Sequence, residues 1–278
     1  MDTIGLHLRM PGTFAELIRR ALQLELPFFQ CFFTDRKTGR VISPESSDVR
    51  SFLQVRRVYF NNLYVHASFF INLAAVDRRR HPILSKEIEL AKQLEFTHMV
   101  IHPGTVRKSE EKEKGIDAIA RTINYLTRHE HDIQILLENT AYGALSIGSI
   151  IEDFHILLTK LDQPDRIGFC IDTAHAHLAG YDIISSQGYE HFLLLLEKVI
   201  GLKNITLIHL NETCKACGSH VDIHGCVGDK YAVLGDNSLK RFTRDERFKE
   251  VPMLLELPAM SMEDEQRIIK KVNTWRCT

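Results

Sequence analysis

Residues 167–175 read IGFCIDTAH, a short apolar run that ends in an aspartate and is followed three residues later by a histidine. Ile167–Asp172 has the length and composition of a strand that is buried on both faces of a parallel sheet. Similar runs rich in Val, Ile, Leu and Phe recur along the chain, at Ile4–His7, Phe28–Phe33, Leu63–His66, His98–His102, Ile133–Glu138, Ile205–His209 and Met253–Glu256. The sequence therefore predicts eight strands of one kind.

The segments between these strands have helical patterning. Examples are Phe14–Leu24, Pro82–Leu94, Gly115–Arg128 and Tyr189–Ile200. Eight strand–helix alternations without a Pro/Gly/Ser-rich linker predict an α/β protein with a (β/α)8 TIM barrel, as a single domain over residues 1–278. A doubly wound open sheet is the alternative, but it usually has fewer strands and a phosphate-loop signature, which the sequence lacks.

Length and composition agree with one large core, since the chain has 278 residues of which 44% are hydrophobic. The formal net charge of −1 gives no global basic field for a nucleic acid. Six scattered cysteines indicate a reducing compartment. With no secretory signal and no membrane-length apolar run, we expect a soluble intracellular protein, of the cytoplasm, the nucleus or a virus particle, without membrane partners.

Polar residues stand at the ends of the predicted strands. Every run except the second stops at, or one residue before, a residue of a type that binds metals: His7, His66, His102, Glu138, Asp172, His209 and Glu256. The carboxyl ends of barrel strands meet on one face, where active sites are built. A single histidine at a strand end usually has only a structural role. Seven residues of metal-binding types, each at the end of a predicted strand, instead predict a common site.

Two further motifs extend this cluster. His175 follows Asp172 by three residues, and the segment 221–224 reads VDIH, with Asp222 and His224 able to close on one ion. Imidazole and carboxylate without thiolate suit Zn²⁺ or Mn²⁺. Since these groups exceed what one four-coordinate ion uses, we infer two or three metals. Clustered divalent ions suit displacement at phosphorus and would supply the local positive charge that the chain lacks.

At these residues the sequence resembles the endonuclease IV family of abasic-site nucleases. The matching segments span most of the chain and include HASFFINL at 66–73, HPG at 102–104, ENTA at 138–141, GFCIDTAHA at 168–176 and VDIH at 221–224. The resemblance implies a metal-dependent hydrolase of base excision repair. Its partner would be double-stranded DNA with an abasic site, and we expect it to act as a monomer.

The resemblance also implies roles for single residues. His66, His102 and Glu138 resemble the ligands of a first ion, and Glu138 would bridge to a second ion held with Asp172, His209 and Glu256. His175, Asp222 and His224 resemble the ligands of a third ion. Three Zn²⁺ per chain are expected, with Mn²⁺ as an alternative at one or more sites, and Glu138 and Glu256 are the expected catalytic carboxylates.

The implied reaction is attack by a metal-bridging hydroxide on the phosphorus 5′ to the abasic sugar. The third ion would stabilise the leaving 3′-oxygen. The products would be a 3′-hydroxyl and a 5′-deoxyribose phosphate, and 3′-repair diesterase activity is also expected.

Predicted DNA contacts are His7, Arg36, Phe69, Phe70, Arg78 and Arg79. Phe69 and Phe70 follow a strand-end ligand and stand where the family has a duplex-opening wedge, although the family has a Tyr followed by an aliphatic residue there. The alternative places both rings in the core. Arg78–Arg80 is either a solvated loop or a phosphate contact. The loop after the second strand, with Arg36, departs from the family pattern.

Two other functions remain open from the residues. A sugar isomerase or epimerase on the same barrel typically needs one or two ions, so His175, Asp222 and His224 discriminate against it. A DNA-binding module without activity would not need to keep carboxylates facing phosphate. The Cys214-x-x-Cys217 pair could be a redox or metal site, but without a second such motif we interpret its thiols as bystanders.

Overall fold

The computed structural model describes residues 4–35, 37–75, 81–130 and 132–276. Eight parallel strands form a closed barrel in which each strand pairs with the next and the last pairs with the first. The strands are β1 (Ile4–His7), β2 (Phe29–Phe32), β3 (Tyr64–His66), β4 (His98–Ile101), β5 (Gln134–Glu138), β6 (Ile167–Asp172), β7 (Ile205–His209) and β10 (Met253–Leu255). The predicted TIM barrel is confirmed, with strand ends within about a residue of those expected.

Helices follow the strands around the barrel. They are α1 (Phe14–Gln23), α2 (Ser46–Tyr59), α3 (Pro82–Gln93), α4 (Lys112–His129), α5 (Glu152–Leu158), α6 (Thr173–Ala179), α7 (Ser186–Val199), α8 (Gly235–Arg244) and α9 (Met262–Arg276). Two-residue strands β8 (Glu212–Thr213) and β9 (His224–Gly225) pair antiparallel outside the barrel. In the described part of the chain, no helix combines the length and apolar character needed to cross a membrane.

The start of α1 shows how local sequence sets these elements. Thr13 accepts a hydrogen bond from the Glu16 backbone, and the Glu16 side chain accepts one from the Thr13 backbone, which forms a capping box. Asp48 of α2 accepts hydrogen bonds from the next two backbone N–H groups, those of Phe14 and Ala15. The backbone N–H groups at the amino end of α1 thus all have hydrogen-bond acceptors. The apolar face of the helix packs into the core.

The inside of the barrel is built in layers, because side chains two residues apart on a strand point to the same face. The lower layer is apolar or small and consists of Gly5, Phe28, Tyr64, Val100, Leu136, Cys170, Leu207 and Leu254. A Cβ at Gly5 would overlap the ring of Phe28, so glycine leaves room for that ring. This layer closes the barrel beneath its carboxyl-terminal mouth.

Candidate metal centre

A polar layer lies directly above this apolar floor. Its members come two residues after those of the floor: His7, Gln30, His66, His102, Glu138, Asp172, His209 and Glu256. Glu138, Asp172 and His209 are fully buried, although carboxylates rarely are without partners. The same alternation that fills the barrel with apolar side chains therefore brings one polar side chain from each strand to the mouth.

The first predicted set, His66, His102 and Glu138, lies together at the carboxyl ends of β3, β4 and β5. Nε2 of His66 is 3.1 Å and Nε2 of His102 is 2.9 Å from Oε2 of Glu138. The other ring nitrogen of His66 shares a hydrogen bond with the Ala67 carbonyl, which fixes the ring orientation. Two imidazoles thus converge on one carboxylate oxygen.

The second set surrounds His209 of β7. Its Nδ1 lies 3.0 Å from Oε1 of Glu138, 3.6 Å from Oε2 of Glu256 and 3.8 Å from Oδ2 of Asp172. Glu138 therefore presents one oxygen to the first set and the other to this one. The predicted bridging position of Glu138 is compatible with this geometry.

The third set is His175, Asp222 and His224. His175 lies at the start of α6, whose N-cap Asp172 accepts a hydrogen bond from the His175 backbone. Nε2 of His175 and Nε2 of His224 lie 3.2 Å and 3.4 Å from Oδ1 of Asp222. Both nitrogens are buried and make no hydrogen bond of acceptable geometry. Buried polar atoms without partners are rare in folded proteins, and a ligand would satisfy these two.

These distances suit metal coordination. Two ligand atoms each 2.0–2.1 Å from a tetrahedral Zn²⁺ lie about 3.3–3.4 Å apart. Compact groups able to hold an ion include His66, His102 and Glu138, then Asp172, His209 and Glu256, and then Asp172, His175 and His224. In the last group Asp172 stands in place of the predicted Asp222. The donor chemistry and the two orphaned imidazole nitrogens both fit Zn²⁺.

One compact group was not predicted, since Cys170 joins Glu138 and His209. Burial raises the pKa of the Cys170 thiol to about 12, and the nearby His209 only partly opposes this effect. The thiolate is the form that binds metals. Cys170 also packs among the apolar side chains of the floor.

Charges within the cluster stabilise one another. Burial alone would raise the pKa of Glu138, but His102 and His209 outweigh burial and hold that pKa well below its usual range. Burial would lower the pKa of His175, but Asp172 and Asp222 raise it well above the ordinary value. The Glu138 carboxylate is therefore held in the anionic form, which is the form that binds cations.

Amide side chains that the sequence reasoning missed orient these groups. Nδ2 of Asn211 donates to both Asp172 and Glu256, at 2.6 and 3.0 Å. Nε2 of Gln30 donates to Glu256 at 2.9 Å, and Oε1 of Gln30 lies 3.1 Å from Nε2 of His209. Gln30 is the polar-layer residue of β2, the strand that ends without a metal-type residue. Its signal in the sequence is a lone amide within the apolar run FFQCFF.

The loop that bears Asp222 and His224 begins and ends beside the same residue, Glu212. The buried Glu212 carboxylate accepts hydrogen bonds from the backbone N–H groups of Thr213, Leu234 and Gly235, each at 2.8 Å. The Val233 N–H also donates to the Thr213 carbonyl. We call residues 214–233 the clamped loop, because these contacts hold its two ends together.

The mouth opens into a cavity of about 830 Å³ lined by members of all three sets. Of the predicted DNA contacts, His7 lies in the cavity and shares a hydrogen bond with Glu256, at 3.1 Å. Phe69 and Phe70 are 56% and 43% exposed, so the alternative that buries both rings in the core is wrong. Arg9 and Lys37 add unpredicted positive charge to the lining. Arg36, Arg78 and Arg79 lie outside the described residues.

Comparison with known proteins agrees with this geometry. Residues 18–276 match the protein family described as xylose isomerase-like TIM barrel. A probable endonuclease 4 of Chloroflexus aurantiacus is 31% identical over 266 residues, 93% of this chain and 92% of the relative. A probable endonuclease 4 of Thermosipho melanesiensis is 30% identical over 265 residues, 93% of both chains.

Solved structures also include an endonuclease IV with the same fold. Endonuclease IV from Thermus thermophilus superposes with a TM-score of 0.79 at 28% identity and covers 98% of both chains. A xylose isomerase domain containing protein from Salmonella typhimurium, at 13% identity and a TM-score of 0.65, shares the fold alone. With the matched family and relatives at 30% identity over nearly the whole chain, we conclude that this protein belongs to the endonuclease IV family.

Proposed function

We propose that the chain is one metal-dependent nuclease domain that hydrolyses the DNA phosphodiester 5′ to an abasic site. Water would form the new bond to phosphorus, the bond from phosphorus to the 3′-oxygen would break, and that oxygen would take up a proton. The products are a 3′-hydroxyl and a 5′-deoxyribose phosphate. The names of the relatives support endonuclease activity, and the arrangement of the mouth supports the choice of substrate.

One observation carries this proposal. The mouth has a third carboxylate–imidazole set, His175, Asp222 and His224, beside two others that share Glu138. An isomerase or epimerase that uses one or two ions would not need this set, whereas displacement at phosphorus benefits from ions on both the attacking and the leaving oxygen. The two orphaned nitrogens of the third set favour occupancy by a ligand.

Three Zn²⁺ would be held by the nine predicted ligands, and when bound they would supply a nucleophilic hydroxide and stabilise charge on the phosphate. The chain's own residues position this chemistry. Glu138 is held anionic between the two sets that it joins. Asn211 fixes the orientation of Asp172 and Glu256 from behind. The buried floor keeps water away from the lower side of the cluster.

The substrate side of the mouth suits a damaged duplex. Phe69 and Phe70 project from its rim, and their ring centroids are 4.3 Å apart. Insertion of these rings at an abasic gap would cost little unstacking, because the base is already missing. Arg9 and Lys37 would contact flanking phosphates. The same mouth would also trim blocked 3′ ends, since that reaction breaks the same kind of phosphodiester.

Cleavage of a short duplex with one tetrahydrofuran abasic analogue tests this function, with the undamaged duplex as the control. We expect zinc-dependent incision 5′ to the analogue, with a 3′-hydroxyl that a polymerase extends. Elemental analysis of the same preparation should give two to three ions per chain, mostly zinc. Equal cutting of both duplexes would contradict abasic specificity, and one ion or fewer in fully active protein would contradict the trinuclear centre.

A further inference from the structure

Tyr142 lies four residues beyond Glu138, in the loop after β5, and lines the mouth beside Asp222. The backbone around it is fixed, because the carbonyl of Ala141 accepts a hydrogen bond from the Gly143 N–H and lies 3.1 Å from Nδ1 of His220. Gly143 has a φ of +78°, which glycine adopts without strain. The loop after β5 therefore holds Tyr142 against the clamped loop.

The phenol of Tyr142 donates a hydrogen bond to Oδ2 of Asp222 at 2.7 Å, across 80 positions of sequence. The other oxygen of Asp222, Oδ1, is the atom that lies closest to His175 and His224. The two carboxylate oxygens thus have separate partners. A carboxylate that is held in this way presents a single oxygen to the two imidazoles.

Asp222 needs such a partner more than the other carboxylates do. It is partly exposed and lies between exposed Val221 and Ile223, so packing does not fix its orientation. Asp172 and Glu256 are instead held by Asn211 on the rigid barrel. Among the described residues, the phenol makes the only hydrogen bond to the Asp222 side chain, since the two nearby imidazole nitrogens make none of acceptable geometry.

We propose that Tyr142 is a positioning residue that orients Asp222 for the third ion. This inference rests on the proposed function, because it takes His175, Asp222 and His224 as one metal site. Partners that orient metal ligands typically change metal affinity by about 10–100-fold. Loss of the hydroxyl should therefore weaken the third site by about 10–100-fold and leave the other two unchanged.

Zinc titration of the metal-free protein by equilibrium dialysis in chelator-buffered zinc tests this role without an activity assay. Tyr142→Phe removes only the hydroxyl, and Tyr142→Ala also removes the ring. Asp222→Asn removes the anionic ligand and so identifies which step of the titration belongs to the third site. Tyr59→Phe is the matched control, since Tyr59 is exposed on α2 and does not line the mouth. Melting temperatures of the metal-free variants verify that each is folded.

We expect Tyr142→Phe and Tyr142→Ala to weaken the same site that Asp222→Asn removes, and Tyr59→Phe to match the wild type. A Tyr142→Phe titration that superposes on the wild type would overturn the inference, as would a loss seen only in Tyr142→Ala, which would assign the effect to the ring. An Asp222→Asn titration like the wild type would also overturn it. A wild type that binds one ion or fewer would instead overturn the proposed function.

Discussion

His66 and Phe69 stand three residues apart in the sequence but in opposite environments. His66 is buried at the end of β3, with one ring nitrogen near Glu138 and the other against the Ala67 carbonyl. Phe69 lies on the rim with 56% of its surface exposed, and its ring contacts that of Phe70. Hydrogen bonds and the barrel wall surround the first side chain, whereas the second presents more than half of its surface to solvent.

This difference separates two kinds of functional residue. The polar layer is organised by the protein itself, so changes within it should alter chemistry at the site. The aromatic pair is largely exposed, so changes there should alter affinity for a DNA partner and leave the fold intact. Three variants test this division.

The largest effect is expected for Glu138→Gln. An amide retains the size of the side chain but cannot be the anion shared by the first and second sets. Loss of a partner that merely orients a ligand costs about 10–100-fold, so loss of the shared ligand should lower kcat by more than about 100-fold. Steady-state cleavage of abasic duplex measures this effect.

Glu190→Gln is the matched control, since Glu190 is exposed on α7, pairs with Arg247 and does not line the mouth. It should cleave like the wild type. A Glu138→Gln enzyme that keeps more than a few per cent of wild-type kcat would show that Glu138 is not the bridge.

A smaller effect is expected for the Phe69→Ala, Phe70→Ala double variant. Aromatic stacking on a base contributes about 1–3 kcal/mol, so affinity for abasic duplex should fall roughly ten- to several-hundred-fold. The melting temperature should stay near that of the wild type, because both rings are largely exposed. Cleavage at saturating DNA should change less than affinity.

Phe154→Ala provides the contrast for that variant, because Phe154 is fully buried in the core. Removal of a buried Phe side chain costs about 3–5 kcal/mol of stability. If the double variant lost stability like Phe154→Ala while its folded fraction bound DNA normally, the wedge role would be excluded.

The smallest effect is expected for a change at Glu87, which contacts the segment between the buried polar layer and the exposed aromatic pair. Glu87 of α3 is buried and accepts hydrogen bonds from the Thr34 hydroxyl and from the Ser68 backbone, just before Phe69. Glu87→Ala leaves both donors without this acceptor and should lower the free energy of unfolding by about 1–3 kcal/mol. Denaturant unfolding measures the loss. Glu89→Ala, an exposed change on the same helix, should stay within about 0.5 kcal/mol of the wild type, and equal values for the two variants would refute the role of Glu87.

The barrel was predictable because its strands are short, apolar and regularly spaced. Strand ends were located within about a residue, since a buried strand ends where polar residues begin, as at His209. The start of α4 was predicted at Gly115 but lies at Lys112, because the charged run before it continues into the helix. The pair β8 and β9 has two residues in each strand, too few for a periodic signal.

The convergence of the strand-end residues was predictable for the same reason, because strand direction and period carry them to one mouth. Gln30, Asn211 and Tyr142 were not predicted as partners. Their hydrogen bonds join distant parts of the chain, for example 80 positions apart for Tyr142 and Asp222. The contacts of Asn211 and Tyr142 depend on how loops meet after folding, whereas Gln30 has a local signal as a lone amide in an apolar strand.

The clamp formed by Glu212 has a consequence for how this barrel can diversify. Because Glu212 holds the two ends of residues 214–233 together, the length of the loop between them can change without displacing β7 or α8. Each doubling of loop length costs only about 0.6 kcal/mol in closure entropy. The clamped loop is therefore a cassette between Thr213 and Leu234, whose two ends are joined by Glu212 and not by the sequence of the loop itself.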